Sequence, residues 1–122
     1  MPRPILDESA IHPAIQPKIA GLHSEVLGDV QAAVARHAVV VLGMARNPFV
    51  ARARKALDKA GVSHGYLGYG GYVSGWRTRN AIKMWTGWPT LPMVFVRGVL
   101  VGGADDLQRL IDSGELETRL RG

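Results

Sequence analysis

Hydrophobic residues along this chain fall into short β-branched runs and longer stretches with helical spacing. The run at residues 38–42, Ala-Val-Val-Val-Leu, is typical of a strand buried on both faces. Before it, apolar residues recur every three or four positions across residues 17–37, which predicts one amphipathic helix. Residues 1–17 hold four of the seven prolines and show little periodicity. We therefore predict an N-terminal arm over residues 1–17 and one folded domain over residues 18–122.

A second helix is predicted to begin at Asn47-Pro48, because Asn caps free backbone N–H groups and Pro fits the first helical position. It is predicted to run to about Ala60 and to end at Gly61. The apolar residues predicted to form its buried stripe are Phe49, Ala53, Ala56, Leu57 and Ala60. The cations predicted to face outward are Arg52, Arg54, Lys55 and Lys59.

The rest of the chain predicts a strand, a helix, a β-hairpin and a final helical region. The strand lies around Tyr66, and the helix covers residues 75–85. The hairpin pairs residues 93–96 with 99–101 across Arg97-Gly98. A helix over 104–111 has two acids in its first turn, and a last helical turn lies near Leu116. The order β-α-β-α-β-β-α indicates an α/β fold.

Composition narrows the chemistry that this domain can perform. With 122 residues the chain is about one average domain, and no apolar run approaches the length of a membrane span. The first residues lack the apolar core of a secretory signal, so we expect a soluble, cytoplasmic protein and no membrane partner. The sequence has no cysteine, which excludes disulfides, thiolate metal sites, iron–sulfur ligation by the chain and cysteine nucleophiles.

The net charge of +5 is concentrated in the middle of the chain. Between residues 46 and 83 there is one acid, Asp58, and there are eight cations: Arg46, Arg52, Arg54, Lys55, Lys59, Arg77, Arg79 and Lys83. Such a field attracts a carboxylate ligand, an acidic protein or a nucleic acid, although a solvated helical face explains it equally well. Aromatic residues interleave with glycines nearby, at Tyr66, Tyr69, Tyr72 and Trp76, but packing explains them better than base stacking. The spacing of His12, His23, His37 and His64 predicts no metal site.

The second half of the chain resembles the glutaredoxin family. It carries Trp88-Pro89-Thr90-Leu91-Pro92, a strand, Gly98 followed by Gly102-Gly103, then Asp106-Leu107 and Ser113-Gly114-Glu115-Leu116. This order is similar to the family's Trp-Pro-Thr-x-Pro, Gly-x-x-x-Gly-Gly, Asp-Leu and Ser-Gly-Glu-Leu pattern, and it is closest to that of monothiol glutaredoxins. The resemblance implies a thioredoxin fold: a four-stranded mixed sheet flanked by helices, here with an extra N-terminal helix and arm.

The same resemblance implies a glutathione site and its residues. Thr90, Leu91 and Pro92 resemble the segment whose backbone pairs with the cysteinyl unit of glutathione, and Pro92 is then expected to be cis. The residues that resemble the helix start receiving the γ-glutamyl group are Gly103, Ala104, Asp105 and Asp106. Free N–H groups at a helix start suit a carboxylate, and a side-chain acid suits an ammonium group. Arg79 resembles the basic residue that monothiol glutaredoxins direct at the glycine carboxylate.

The chain departs from the family at the residues that carry its chemistry. Asn47 stands where the nucleophilic cysteine is expected, Val50 where the second cysteine is expected, and Met44 where a lysine that contacts glutathione is usual. Neither Asn nor Val forms a thiolate, so thiol–disulfide exchange is excluded and no residue is assigned as catalytic. Asn47 fits a helix cap better than a catalytic group. We expect no iron–sulfur cluster and no metal.

Three functions follow from these residues. The first is a non-redox module that binds glutathione or a peptide-like anion through Asn47, Arg79, residues 90–92 and residues 103–106. The alternative is a regulatory partner of an acidic protein that uses the basic face and binds no small ligand. Nucleic-acid binding through that face is the weakest reading. The ligand motifs also have a structural explanation, since a cis-proline turn and a glycine pair organise the fold by themselves.

Overall fold

A four-stranded mixed sheet forms the centre of the molecule in a computed structural model that describes residues 3–71 and 75–121. The strands are β1 (Val39–Gly43), β2 (Gly65–Gly68), β3 (Met93–Val96) and β4 (Val99–Gly102), in the order β2-β1-β3-β4. β1 is parallel to β2 and antiparallel to β3, and β3 pairs antiparallel with β4. The predicted mixed sheet and hairpin are therefore confirmed.

Six α-helices are present in the described residues, and helices pack on both faces of this sheet. They are α1 (Gln16–Gly21), α2 (Ser24–Arg36), α3 (Pro48–Lys59), α4 (Trp76–Thr86), α5 (Ala104–Ser113) and α6 (Glu115–Arg121), and a short 3-10 turn covers Glu8–Ala10. Among the described residues, no helix is both long and apolar enough to cross a bilayer. Tyr72, which we included among the interleaved aromatics, lies outside the described residues.

The period of two along the strands divides the core into two layers. Val40 and Leu42 of β1 face α2 and α4, where Val30 and Ile82 are fully buried. The alternate residues of β1 face α3, α5 and α6, in a layer that consists mainly of Val39, Val41, Ala53, Leu57, Val94, Val96, Leu107 and Leu116. All five residues of β1 are buried, as the β-branched run predicts.

The helix predicted over residues 17–37 is wrong as a single element. The structure divides it into α1 and α2 at Leu22 and His23. His23 has a φ of 52°, a left-handed conformation that a right-handed helix cannot continue through. Gly21, a weak helix former, is the last residue of α1. The division into an arm over 1–17 and a domain over 18–122 stays a prediction.

The buried stripe of α3 also differs from the prediction. Phe49 is 54% exposed and Ala60 is exposed, whereas Val50, Ala53 and Leu57 are buried. These three residues have the spacing i, i+3, i+7 of one helix face. Phe49 is thereby turned away from the core and toward solvent.

The last helical turn predicted near Leu116 is a helix of seven residues, α6. Gly114, with a φ of 81°, ends α5 and lets the chain turn into α6. Two i, i+4 ion pairs support α6, Arg119 with Glu115 at 2.8 Å and Arg121 with Glu117.

Candidate functional site

A cleft of about 450 Å³ opens where the start of α3, the loop before β3 and the start of α5 meet. Eight of the nine residues predicted to bind a ligand line it: Asn47, Thr90, Leu91, Pro92, Gly103, Ala104, Asp105 and Asp106. Met44 and four residues that the prediction did not assign to the site complete the lining: Phe49, Arg52, Lys83 and Trp88. Segments distant in sequence thus converge on one concave surface.

Asn47 closes the α3 side of the cleft as the N-cap of that helix. Its Oδ1 accepts hydrogen bonds from the backbone N–H of Phe49 at 2.9 Å and of Val50 at 3.1 Å. The cap expected from the sequence is therefore formed. With Oδ1 occupied, the polar group that remains is the Nδ2 amide, which donates hydrogen bonds and has no nucleophilic character.

The loop before β3 contributes backbone rather than side chain to the cleft. The Leu91–Pro92 peptide bond is cis, as the resemblance implies. Pairing between β1 and β3 ends at Leu42 and Met93. No backbone hydrogen bond to Leu91 is found among the loops and turns of the described residues. Its N–H and C=O are therefore available to an extended chain lying in the cleft.

The start of α5 supplies helix N–H groups and two carboxylates. Asp106 accepts a hydrogen bond from the N–H of Gly103 at 3.0 Å through Oδ2, which is one half of a capping box, since Gly103 has no side chain to complete it. Gly102 has a φ of +117°, and a Cβ there would clash with the carboxylate of Asp106, so the position requires glycine. The remaining N–H groups of the first turn of α5 suit an anion.

An ion pair crosses the rim of the cleft from α3 to α5. Arg52 Nη2 donates to Asp105 Oδ1 at 2.6 Å, and the Arg52 guanidinium lies 5.2 Å from the centre of the Phe49 ring. Both charged side chains are more than half exposed, so the pair adds little to stability. The sequence prediction did not assign Phe49 or Arg52 to the cleft, because it placed Phe49 in the core and Arg52 on the outer face of the helix.

Arg79 does not line the cleft, in contrast to the prediction for it. Its side chain is 8% exposed, and its Nη1 donates to the backbone C=O of Tyr69 at 2.9 Å. Lys83, one helical turn later on α4, lines the cleft instead. In the sequence, the i, i+4 spacing places Arg79 and Lys83 on the same side of a helix, and this spacing is the signal that could have identified Lys83 as a second candidate. Lys83 is therefore the cation of α4 best placed for a ligand carboxylate.

Two buried polar atoms near these residues have no hydrogen-bond partner among the described residues. One is the indole Nε1 of Trp88, a residue that lines the cleft beside Gly103. The other is the hydroxyl of Tyr69. Burial, and to a smaller extent the negative charge of Asp29, raises the pKa of that hydroxyl.

The cations of residues 46–83 do not form one surface. Arg52 is paired at the cleft, Arg79 is buried, and the Arg54 guanidinium lies 4.1 Å from the centre of the Tyr66 ring. Within the described ranges, no group of three His, Asp or Glu side chains is arranged to hold a metal ion.

Comparison with known proteins gives the family. No protein-family model matches the sequence. A glutaredoxin-like protein of Dictyostelium discoideum is 45% identical over 103 residues, which are 84% of each chain. A glutaredoxin of Oryza sativa subsp. japonica is 32% identical over 90 residues, 74% of this chain and 80% of the rice protein. The crystal structure of a buckwheat glutaredoxin–glutathione complex superposes with a TM-score of 0.71 at 24% identity, over 87% of this chain and 93% of the buckwheat chain. With its thioredoxin-type sheet and a cleft at the cis-proline, this chain belongs to the glutaredoxin family as a member without cysteine.

Proposed function

We propose that this protein is a binding module that holds glutathione, or a related peptide-like anion, without redox chemistry. The observation that carries the proposal is the convergence of eight of the nine predicted ligand residues on one cleft. Residues 47, 90–92 and 103–106 come from three separate parts of the chain. A concave surface with polar groups from three parts of the chain suits a ligand that carries several polar groups.

The polar groups of the cleft match the parts of glutathione. The free N–H and C=O of Leu91 suit the central amides of the tripeptide, and the start of α5 suits the γ-glutamyl carboxylate. Lys83 is the cation we assign to the glycine carboxylate, in place of Arg79. The buckwheat glutaredoxin was solved with glutathione, which supports this ligand by analogy of fold.

In this proposal the site binds its ligand and does not react with it. A mixed disulfide needs a protein thiolate, and the chain has no cysteine. Bound glutathione therefore keeps its thiol, next to the neutral amide of Asn47. Enzymatic activity would require the ligand to supply the sulfur. A cytoplasmic location and the absence of an iron–sulfur cluster stay predictions.

Isothermal titration calorimetry with two ligands tests this proposal. The first ligand is reduced glutathione, and the second is γ-glutamyl-2-aminobutyryl-glycine, in which a methyl group replaces the thiol. Because no covalent bond forms, both ligands should bind with similar affinity. Lys83→Gln should weaken binding by about tenfold, the effect of one charge-assisted hydrogen bond. Lys59→Gln, on the exposed side of α3, is the matched control. Absence of heat with both ligands at millimolar concentration would refute the proposal.

The alternative function, an acidic protein bound through Arg52, Arg54 and Lys55, has less support. Arg52 is engaged by Asp105, and Arg54 lies over Tyr66. Charge reversal of these three residues should abolish binding of a partner if this alternative holds.

A further inference from the structure

A second concave surface lies along α4, on residues other than the one that α4 contributes to the cleft. It is a groove of about 460 Å³ between α1, the start of α2 and α4, which we call the α1–α4 groove. Its apolar lining consists mainly of Ile19, Leu22, Leu27, Trp76, Met84 and Trp85. None of these residues lines the cleft. The groove therefore needs an explanation other than glutathione binding.

The apolar lining of this groove is exposed to an unusual degree. Met84 is 74% exposed, Trp76 55% and Leu22 55%. Trp76 and Met84 are eight residues apart on α4, so they lie on one side of the helix, while Ile82 faces the core and is fully buried. A helix that packs on one side carries polar residues on the other. Large contiguous apolar patches on a surface mark interaction sites.

Among the described residues that line the groove, the permanently charged side chain is a cation, Arg77. Lys18 of α1 is next to the lining residue Ile19, whereas Glu25 in the first turn of α2 does not line the groove. Arg77 lines the groove, with its guanidinium 5.3 Å from the centre of the Trp76 ring. No acidic residue lines the groove. Its electrostatic complement is therefore a surface that carries carboxylates beside apolar side chains.

We propose that the α1–α4 groove binds an acidic amphipathic segment of a partner protein. The large apolar side chains of that segment fill the groove beside Trp76 and Met84. The carboxylates of the segment pair with Arg77 and Lys18. A second copy of this chain would bring the same cations to the contact, and with a net charge of +5 the two copies repel each other. A groove accepts protruding side chains, whereas a lipid surface is contacted by a convex apolar face.

Selection of short random peptides displayed on phage, with the purified full chain as bait, tests this inference. Recovered peptides should have net negative charge and large apolar residues at helical spacing. Amide NMR shifts on binding should map to residues 19–27 and 76–85. Met84→Glu, a change at an exposed position, should weaken these peptides by about tenfold or more. Val99→Glu, at an exposed apolar residue of β4, should leave them unchanged.

Several results would overturn the proposal. Failure to recover any peptide, recovery of cationic peptides, or equal binding to the Met84→Glu variant would each refute it. Sedimentation velocity that shows a dimer lost in Met84→Glu would assign the groove to self-association. Binding to phosphatidylserine vesicles that is lost in Met84→Glu would assign it to a lipid surface. Glutathione titration of the same variant is the control for folding: Met84 does not line the cleft, so glutathione binding should be retained, with at most a small loss from the new charge beside Lys83.

Discussion

Asn47 provides the most informative perturbation, because stability and ligand binding use different atoms of its side chain. Its Oδ1 accepts two backbone N–H groups at the start of α3, at 2.9 and 3.1 Å. Asn47→Ala leaves both groups without this acceptor, and loss of such a cap costs about 1 kcal/mol. For a domain of this size that is a fall in Tm of about 3–5 °C.

Asn47→Asp separates the two roles. The carboxylate keeps the acceptor and adds a negative charge at the positive end of α3, so the free energy of unfolding should stay the same or rise by about 0.3–1 kcal/mol. The donor amide is lost, however, and the new charge repels an anionic ligand. We expect glutathione affinity to fall by about tenfold, or about 1.4 kcal/mol. Affinity should therefore fall without a loss of stability.

Urea unfolding followed by far-UV circular dichroism measures the first quantity, and calorimetric titration with reduced glutathione measures the second. Asn80→Asp, an exposed change on α4 outside the cleft, is the matched control for added charge. Unfolding of Asn47→Ala at the urea concentration of the unmodified protein would refute the capping argument. Glutathione binding by Asn47→Asp at unmodified affinity would refute the role of the amide.

Three further predictions follow from the same geometry. Asn47→Cys places a thiol at the start of α3, where helix N–H groups stabilise a thiolate, and mass spectrometry should detect a mixed disulfide after incubation with glutathione disulfide. Gly102→Ala should lower the free energy of unfolding by about 1–3 kcal/mol, because it combines strained φ with a clash against Asp106, whereas Gly103→Ala, whose Cβ meets ordinary contacts, should cost less than about 1 kcal/mol. Tyr69→Phe removes a buried hydroxyl that has no hydrogen-bond partner among the described residues, so urea unfolding at neutral pH should show unchanged or slightly higher stability. Since the pKa of Tyr69 is raised in the folded state, the unfolded chain loses this proton first, so stability is full below pH of about 10 and falls as pH rises from there toward the raised pKa. The free energy of unfolding of Tyr69→Phe should therefore fall less steeply with pH above about 10. An unchanged dependence on pH would contradict the claim that burial raises the pKa of Tyr69.

Much of the fold was predictable from local sequence. The β-branched run of β1, the hairpin of β3 and β4 and the Asn47 cap each have a short-range physical cause, and all are present in the structure. The convergence of residues 90–92 and 103–106 on one cleft followed from the resemblance to glutaredoxins. Composition and periodicity alone would not have predicted it.

The features that sequence reasoning missed depend on conformation at one residue or on contacts between distant ones. The left-handed φ of His23 divides a stretch whose periodicity is continuous. Arg52 and Asp105 are 53 residues apart, and the exposure of Phe49 follows from which face of α3 meets the sheet. Arg79 and Lys83 lie one turn apart on the same side of α4, so the choice between them is set by how far along the helix the cleft lies. No local pattern encodes these quantities.

The binding of glutathione in the cleft is tested most directly by a two-dimensional amide NMR titration with reduced glutathione, followed at Asn47, Leu91 and Asp105. A hydroxyethyl disulfide assay on the same sample reports turnover. We predict saturable shifts confined to the residues that line the cleft, with no turnover above the buffer rate. Absence of shifts at millimolar glutathione, or shifts centred on the α1–α4 groove, would contradict the account.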